Sequence, residues 1–322
     1  MRSLCKDLCT AMFLGLILPG ILLNTADAFL RIRSQTAQQE TIPETVAATV
    51  SLPMRLRNPD GTVSEMEMDT YLVNVLLAEI PAEFELEAQK AQAVTARTYT
   101  RKAGETGGKH GDGSVCTKSS CCQAYITEED YLLQGGTQEG IDKIRKAVQA
   151  TSGYVLTYEG TLIEATYFSC SGGHTEDAAA VWGSEFPYLQ AVESPGEENA
   201  AHFTDMVTFT HRQFQNALGI LPPEDTETWI GEVSYTAGGG VADMEIGGEV
   251  FTGTQLRSLL GLRSTNFTIT VGEKITITTM GYGHRVGMSQ YGADAMAVAG
   301  SSYEEILRHY YPGTVLTKLE NG

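Results

Sequence analysis

The chain has 322 residues, enough for one large domain or two small ones, and its 42% hydrophobic content is ordinary for a globular protein. A formal net charge of −18 leaves no basic surface to follow a phosphate backbone, so no nucleic-acid partner is expected. No nucleotide-binding loop, HExxH helix or GxSxG elbow occurs, and those enzyme classes drop out.

The N-terminus carries an apolar run, AMFLGLILPGILL, followed by Ala26-Asp27-Ala28. The run is short for a bilayer span, so residues 1–28 read either as a membrane anchor or as a cleaved secretory signal. In both cases the remainder is exported. Cys5 and Cys9 precede the run and form no lipoprotein box. Residues 29–48 are polar and patternless, a linker. Residues 49–322 then form the folded region. It opens with two alternating stretches flanking Asn58-Pro59-Asp60-Gly61, a hairpin signature.

Residues 69–102 predict two helices separated at Pro81, with Asp69 or Thr70 as the first N-cap. Tyr71, Leu72, Val75, Leu76 and Glu79 share one stripe, which places a carboxylate among apolar side chains. An unpaired buried charge is strongly disfavoured, so Glu79 must be paired, neutral or set in a cleft. The second helix is rich in alanine and permits close backbone approach. Lys90 and Arg97 lie seven residues apart on it and point the same way, as two substrate-binding cations would.

The segment 103–125 gathers His110, Cys116, Cys121 and Cys122 on a glycine-rich loop. His110, Cys116 and Cys122 suit tetrahedral zinc with a fourth position for water, and a Cys116–Cys122 disulfide fits an exported protein equally well. Thr127 opens a helix, and Ile141, Ile144 and Val148 mark another. Two strands around Glu159-Gly160 deliver Ser171-Gly172-Gly173, whose backbone N–H groups can line a ligand. Trp182 and Tyr188 offer flat faces for sugar rings, with core packing as the alternative. Residues 193–205 read as an acidic loop, VTFTHRQFQNALGI as a strand into a helix, and residues 232–277 as β-rich structure around a short helix, a scaffold or an accessory subdomain. Near the C-terminus, Gly281, Gly283 and Gly287 surround His284, and Gln290 follows where a helix begins.

Three segments in this order, YLVNVLLAEIP with LEAQKAQAVTARTYT, SCSGGHTEDAAAVWG, and GYGHRVGMSQYGADAMA, resemble the stage II sporulation protein D family and its LytB-type relatives. The resemblance runs from about residue 50 to the C-terminus. It implies that Glu79 is the catalytic acid of a peptidoglycan lytic transglycosylase that prefers strands without stem peptides and works in sporulation engulfment. The motif loops, with Ser171, Gly172, Gly173, Tyr188, His284 and Gln290, would border the sugar groove. The family also implies zinc on His110, Cys116 and Cys122 as in clostridial-type members, although many bacillus-type members lack these ligands. A wall amidase or endopeptidase and a membrane anchor protein are the implied partners, with a single N-terminal anchor holding the catalytic region outside the cytoplasm. Arg285 departs from the small residue usual at its position. LytB-type relatives are described as amidase enhancers, so a non-enzymatic glycan-binding role stands as the alternative. The fold expected is α+β, with mixed β-structure and helices around a cleft. No second catalytic carboxylate is obvious, and a transglycosylase needs none, because the muramyl C6 hydroxyl replaces water as the nucleophile.

Overall fold

A computed structural model describes residues 53–220 and 229–319. The segments read as anchor or signal (1–28) and linker (29–48) lie outside the described residues. Among the described residues no helix is long and apolar enough to cross a membrane.

The chain enters through an antiparallel hairpin of β1 (Pro53–Arg57) and β2 (Val63–Glu67), with Leu56 opposite Ser64. Asp60 closes its turn by accepting from Thr62 N–H at 2.9 Å. Helix α1 (Met68–Glu79) follows without a loop, and its N-cap is Glu67, which accepts from Thr70 N–H at 2.7 Å. The expected caps, Asp69 and Thr70, lie within the first turn. Pro81 ends the helix as expected, since proline lacks the N–H that another turn needs.

Helix α2 (Leu86–Thr106) is the axis of the molecule. Ala93, Ala96 and Ala103 belong to a core shared with α1 and hairpin residues Met54 and Leu56, while Ala88, Ala91 and Val94 belong to a second core on another side. Methyl side chains let packed backbones approach closely on both sides, which explains the alanine content. The helix is also buried at Gln89, Gln92, Thr95, Thr98 and Thr100, and each of these threonines donates to the carbonyl four residues back. Gly107, at φ 87°, ends it in a left-handed turn that leads to the short 3-10 segment Gly108–His110.

Strand β3 (Val115–Cys116) returns parallel to β1 and carries the cysteine loop back to the hairpin. Helices α3 (Glu128–Leu133) and α4 (Gln138–Ala150) follow. Ile141, Ile144 and Val148 on α4 are fully buried in the first core, each burial contributing roughly 1.5–3 kcal/mol. Strands β4 (Tyr154–Tyr158) and β5 (Thr161–Leu162) form the expected hairpin, and the short β6 (Tyr167–Phe168) leads to the Ser-Gly-Gly loop and α5 (Ala178–Trp182).

The β-rich stretch has its own core around Phe214, Trp229, Leu256, Ile275 and Ile277. Its elements are β7 (Thr204–Phe209), α6 (His211–Leu218), β8 (Ile230–Tyr235), β9 (Val241–Ile246), β10 (Glu249–Thr252), α7 (Gly253–Leu260), β11 (Phe267–Val271) and β12 (Ile275–Met280). They make two three-stranded sheets, ordered β11-β12-β7 and β10-β9-β8. Beyond it, β13 (Met288–Ser289) pairs with β6, α8 (Gln290–Val298) and α9 (Tyr303–Tyr310) join the second core, and β14 (Val315–Lys318) pairs with β4. The architecture is mixed α+β, as the sequence predicts.

Two glycine loops meet where the β-rich stretch ends. A Cβ on Gly172 would lie 2.8 Å from the Met280 carbonyl carbon, and one on Gly281 would lie 2.7 Å from that of Ser171. Backbone therefore stacks on backbone there, tied by the Cys170–Tyr282 bridge, and only glycine permits it.

Candidate active site

Glu79, the last residue of α1, is half-buried on the floor of an open cleft of about 400 Å3 that Ala82, Tyr131, Ser169, His202, Gln290 and Tyr291 also line. Its Oε1 accepts from Ala124 N–H at 2.6 Å. Burial raises its pKa above the ordinary value, and the Ala124 N–H, the Tyr167 hydroxyl and the Gln290 side chain only partly offset that. Gln290 Nε2 faces this carboxyl yet makes no hydrogen bond of normal geometry. A carboxyl held partly out of water, with its affinity for a proton increased, is suited to act as a general acid.

Several residues expected in the groove sit elsewhere. Arg97 is 1% exposed and pairs with Asp69 Oδ1 at 2.9 Å, and it donates to the carbonyls of Val148, Thr151 and Tyr154. It ties α1, α2 and the end of α4 together and has no face left for a sugar. Lys90 pairs with Glu87 at 2.6 Å beneath the Tyr303 ring, where α2 meets α9. Tyr188 is buried in the second core, with its hydroxyl accepting from Glu164 N–H at 3.1 Å. Its packing reading holds. Trp182 is 42% exposed and lies 5.4 Å from the His284 ring.

His284 packs between Phe168 and Trp182, its Nδ1 accepting from Val286 N–H at 3.1 Å, and it does not line the Glu79 cleft. Burial, then the Arg257 charge, pushes its pKa down to about 4. Of the expected substrate ligands, only Gln290 lines the cleft with Glu79.

The Ser-Gly-Gly loop is a nest of N–H donors, but its occupant is internal. Glu197 Oε2 accepts from Ser171 N–H at 2.8 Å, Gly172 N–H at 3.0 Å and Ser171 Oγ at 2.7 Å. Its Oε1 accepts from Ser194 Oγ at 2.7 Å and from Ser289 Oγ. Gly173 N–H is taken up by Ser171 Oγ. The loop is therefore satisfied by the fold, and the expectation that Ser171, Gly172 and Gly173 bind substrate is corrected. Arg285 turns inward too. It occupies a left-handed position at φ 65°, where glycine would fit without cost, and pairs with the buried Glu176 at 2.9 Å. It also donates to the carbonyls of Ser171, His174 and Gly238, pinning the β-rich stretch to both glycine loops.

The cysteine loop is different. One ligand atom from each of His110, Cys116, Cys121 and Cys122 lies within 4.8 Å of the others, a cluster that can hold a metal ion. All three cysteines are free thiols, so the disulfide alternative is not what this structure adopts. Burial pushes the Cys116 thiol up, but the Lys118 N–H, His110 and the neighbouring thiols outweigh it and bring the group down to about 7. Cys122 goes the other way, with burial as the main cause. Cys121 joins the three expected ligands where the sequence reading left room for water.

Comparison with known proteins places this geometry in context. The stage II sporulation protein family model matches residues 58–158, the span that holds the Glu79 helix, α2 and the cysteine cluster. Stage II sporulation protein D of Bacillus amyloliquefaciens is 36% identical over 297 residues, covering 90% of this chain and 84% of the relative. The chain belongs to the stage II sporulation protein D family. The Bacillus subtilis protein of the same description is 36% identical over 85% of this chain and 81% of its own. An amidase enhancer of Bacillus subtilis is 32% identical over 76% of this chain and 40% of its own length.

Three parts of this family member's site escape a sequence reading. Tyr167 hydroxyl, beside Glu79, accepts from Gln123 Nε2 at 3.2 Å, and Gln123 Oε1 accepts from Thr100 Oγ1 at 2.9 Å. Gln123 and Ala124 directly follow Cys122, so the cysteine loop positions the acid through its own backbone. Tyr131 lines both the Glu79 cleft and an adjoining hollow of about 570 Å3. His202 lies in the stretch read as an acidic loop. Only Tyr167 carried a sequence signal, being next to the Ser-Gly-Gly motif.

Proposed function

We propose that this protein is a lytic transglycosylase that cuts the glycan strands of peptidoglycan, with Glu79 as its single acid and base. The observation that carries this reading is one half-buried carboxyl, with raised proton affinity, in an open cleft. Ala124 N–H engages Oε1, which favours the proton on Oε2. Glu79 gives that proton to the glycosidic oxygen as the bond breaks. The C6 hydroxyl of the muramyl sugar attacks C1, Glu79 takes the hydroxyl proton back, and a 1,6-anhydromuramyl end results. Glu83 is the one other carboxylate lining the cleft among the described residues, and it is exposed on the rim.

Glu79→Gln keeps the shape and loses the transferable proton, so it should abolish cleavage at unchanged thermal unfolding, while Glu83→Gln should keep activity within about threefold. Mass spectrometry of digested strands should find anhydro ends. Reducing ends formed by water, together with loss of activity in Glu83→Gln, would replace this mechanism with a two-carboxylate hydrolase. The similarity to an amidase enhancer supports a second reading, glycan binding that assists an amidase. That role predicts no new ends from the protein alone, and acceleration of an amidase that survives Glu79→Gln.

The cysteine cluster fits zinc. A tetrahedron with Zn–S near 2.3 Å and Zn–N near 2.1 Å has S–S edges of about 3.8 Å and S–N edges of about 3.6 Å. Here Cys121 and Cys122 Sγ lie 3.9 Å apart, and they lie 3.8 and 3.6 Å from His110 Nε2. With four protein ligands the ion would be structural, bracing the loop that presents Ala124 to Glu79. Export with an N-terminal anchor, and work alongside an amidase or endopeptidase and a membrane anchor protein during engulfment, complete the reading.

A further inference from the structure

Among the described residues, those lining the Glu79 cleft include two carboxylates and no Lys or Arg, in a chain of net charge −18. An anionic ligand group would be repelled unless some donor meets it. His202 lines this cleft, and its Nδ1 lies 2.7 Å from Arg263 Nη1. A guanidinium can only donate, so Nδ1 must be the acceptor and the ring hydrogen sits on Nε2. The arrangement is braced. Arg263 Nε pairs with Asp205 Oδ2 at 3.1 Å, its guanidinium lies 5.2 Å from the Tyr282 ring centroid, and that ring meets His202 edge-on at 5.5 Å. The adjacent Phe203 carbonyl accepts from Gly281 N–H at 2.8 Å. Arg263 therefore fixes the tautomer and polarises the imidazole as an Nε2–H donor.

We propose that His202 Nε2–H reads the lactyl carboxylate of the muramyl sugar, the anion exposed when the stem peptide has been removed. This rests on the glycan-cleaving reading above and assigns a residue to the preference for stripped strands that the family resemblance implies. A peptide-bearing sugar offers an amide carbonyl at the same place, which accepts more weakly than a carboxylate and brings the peptide's bulk with it. The β-rich stretch thereby supplies a specificity residue through Arg263 and Asp205.

The test uses the full chain with Glu79→Gln, so that ligands are bound and not consumed. Calorimetric titration compares three oligosaccharides of equal length: one with free lactyl carboxylates, one with those groups as methylamides, and a chitooligosaccharide without lactyl groups. The free carboxylate should bind about tenfold more tightly than the methylamide, the scale of one charge-assisted hydrogen bond. His202→Ala should bring that ratio to about one at unchanged thermal unfolding, and His202→Gln, which keeps an N–H, should retain part of it. Nitrogen NMR should find the Nε2–H tautomer at His202, and a mixture in Arg263→Met, with the ratio lowered. A tenfold ratio that survives His202→Ala overturns the proposal. Failure of all three ligands to bind overturns the glycan reading itself, and the subsite with it.

Discussion

The cysteine loop, 107–124, and the Ser-Gly-Gly loop, 169–176, look alike in sequence, both punctuated by glycine and rich in groups that bind ligands. In the fold they differ in whether those groups are already satisfied. Ser171 and Gly172 aim their donors at Glu197, a carboxylate from the same chain, and the nest is full. His110, Cys116, Cys121 and Cys122 have chiefly one another, and thiols and an imidazole are weak hydrogen-bond partners for each other but good ligands for a soft cation. A loop of donors closes when the chain supplies an acceptor. A loop of soft ligands stays open to an ion.

The largest effect should come from emptying the filled nest. Glu197→Ala leaves the Ser171 and Gly172 N–H groups and the Ser171 hydroxyl without an acceptor and reduces Ser194 and Ser289 to the Tyr310 hydroxyl and the Ser169 carbonyl, at a cost of about 3–5 kcal/mol. Thermal unfolding should fall by about 10 °C, and added glycan fragments should not restore it. Restoration would mean that the nest is a binding site after all.

Metal comes next. The purified chain should carry about one zinc, and chelation or His110→Ala should lower the unfolding temperature by several degrees. Cys121→Ser should cost less, because the serine hydroxyl still offers an oxygen at its position, but metal should leave it at lower chelator concentration. Elemental analysis and a competition titration check both points, and a zinc-free chain of unchanged stability would contradict them.

The smallest effect concerns the link between the loop and the acid. The Tyr167 hydroxyl holds the Glu79 pKa down against the larger, raising effect of burial. In Tyr167→Phe that restraint is gone, so the carboxyl keeps its proton to higher pH. Activity that needs the protonated acid should then lose its alkaline limb at a higher pH than in the parent. A pH–rate profile with an unmoved or lowered limb would separate Tyr167 from the acid.

The hairpin, the paired helices and Glu79's anomalous place on an apolar stripe were legible in the sequence, because periodicity and turn chemistry act over a few residues. Arg97 was misread for a physical reason. Helical spacing gives a side chain's direction but not what waits there, and α2 is covered on several sides, so the direction shared with Lys90 leads to Asp69 and not to solvent. Glu197 and His202 were invisible because their partners are distant in sequence. Glu197 meets Ser171 across 26 residues and Ser289 across 92, while His202 meets Arg263 across 61. Their local context, an acidic polar loop, reads as solvated surface.

Helix α2 also acts as a spacer. Glu79 stands on a helix of the first core and Gln290 on a helix of the second, and α2 contributes residues to both. The gap between acid and amide is thus set partly by alanine methyl groups that touch no ligand. A bulkier residue at Ala91 or Ala96 would wedge packed elements apart, so that the placing of Glu79 against Gln290 and resistance to heat draw on the same few side chains.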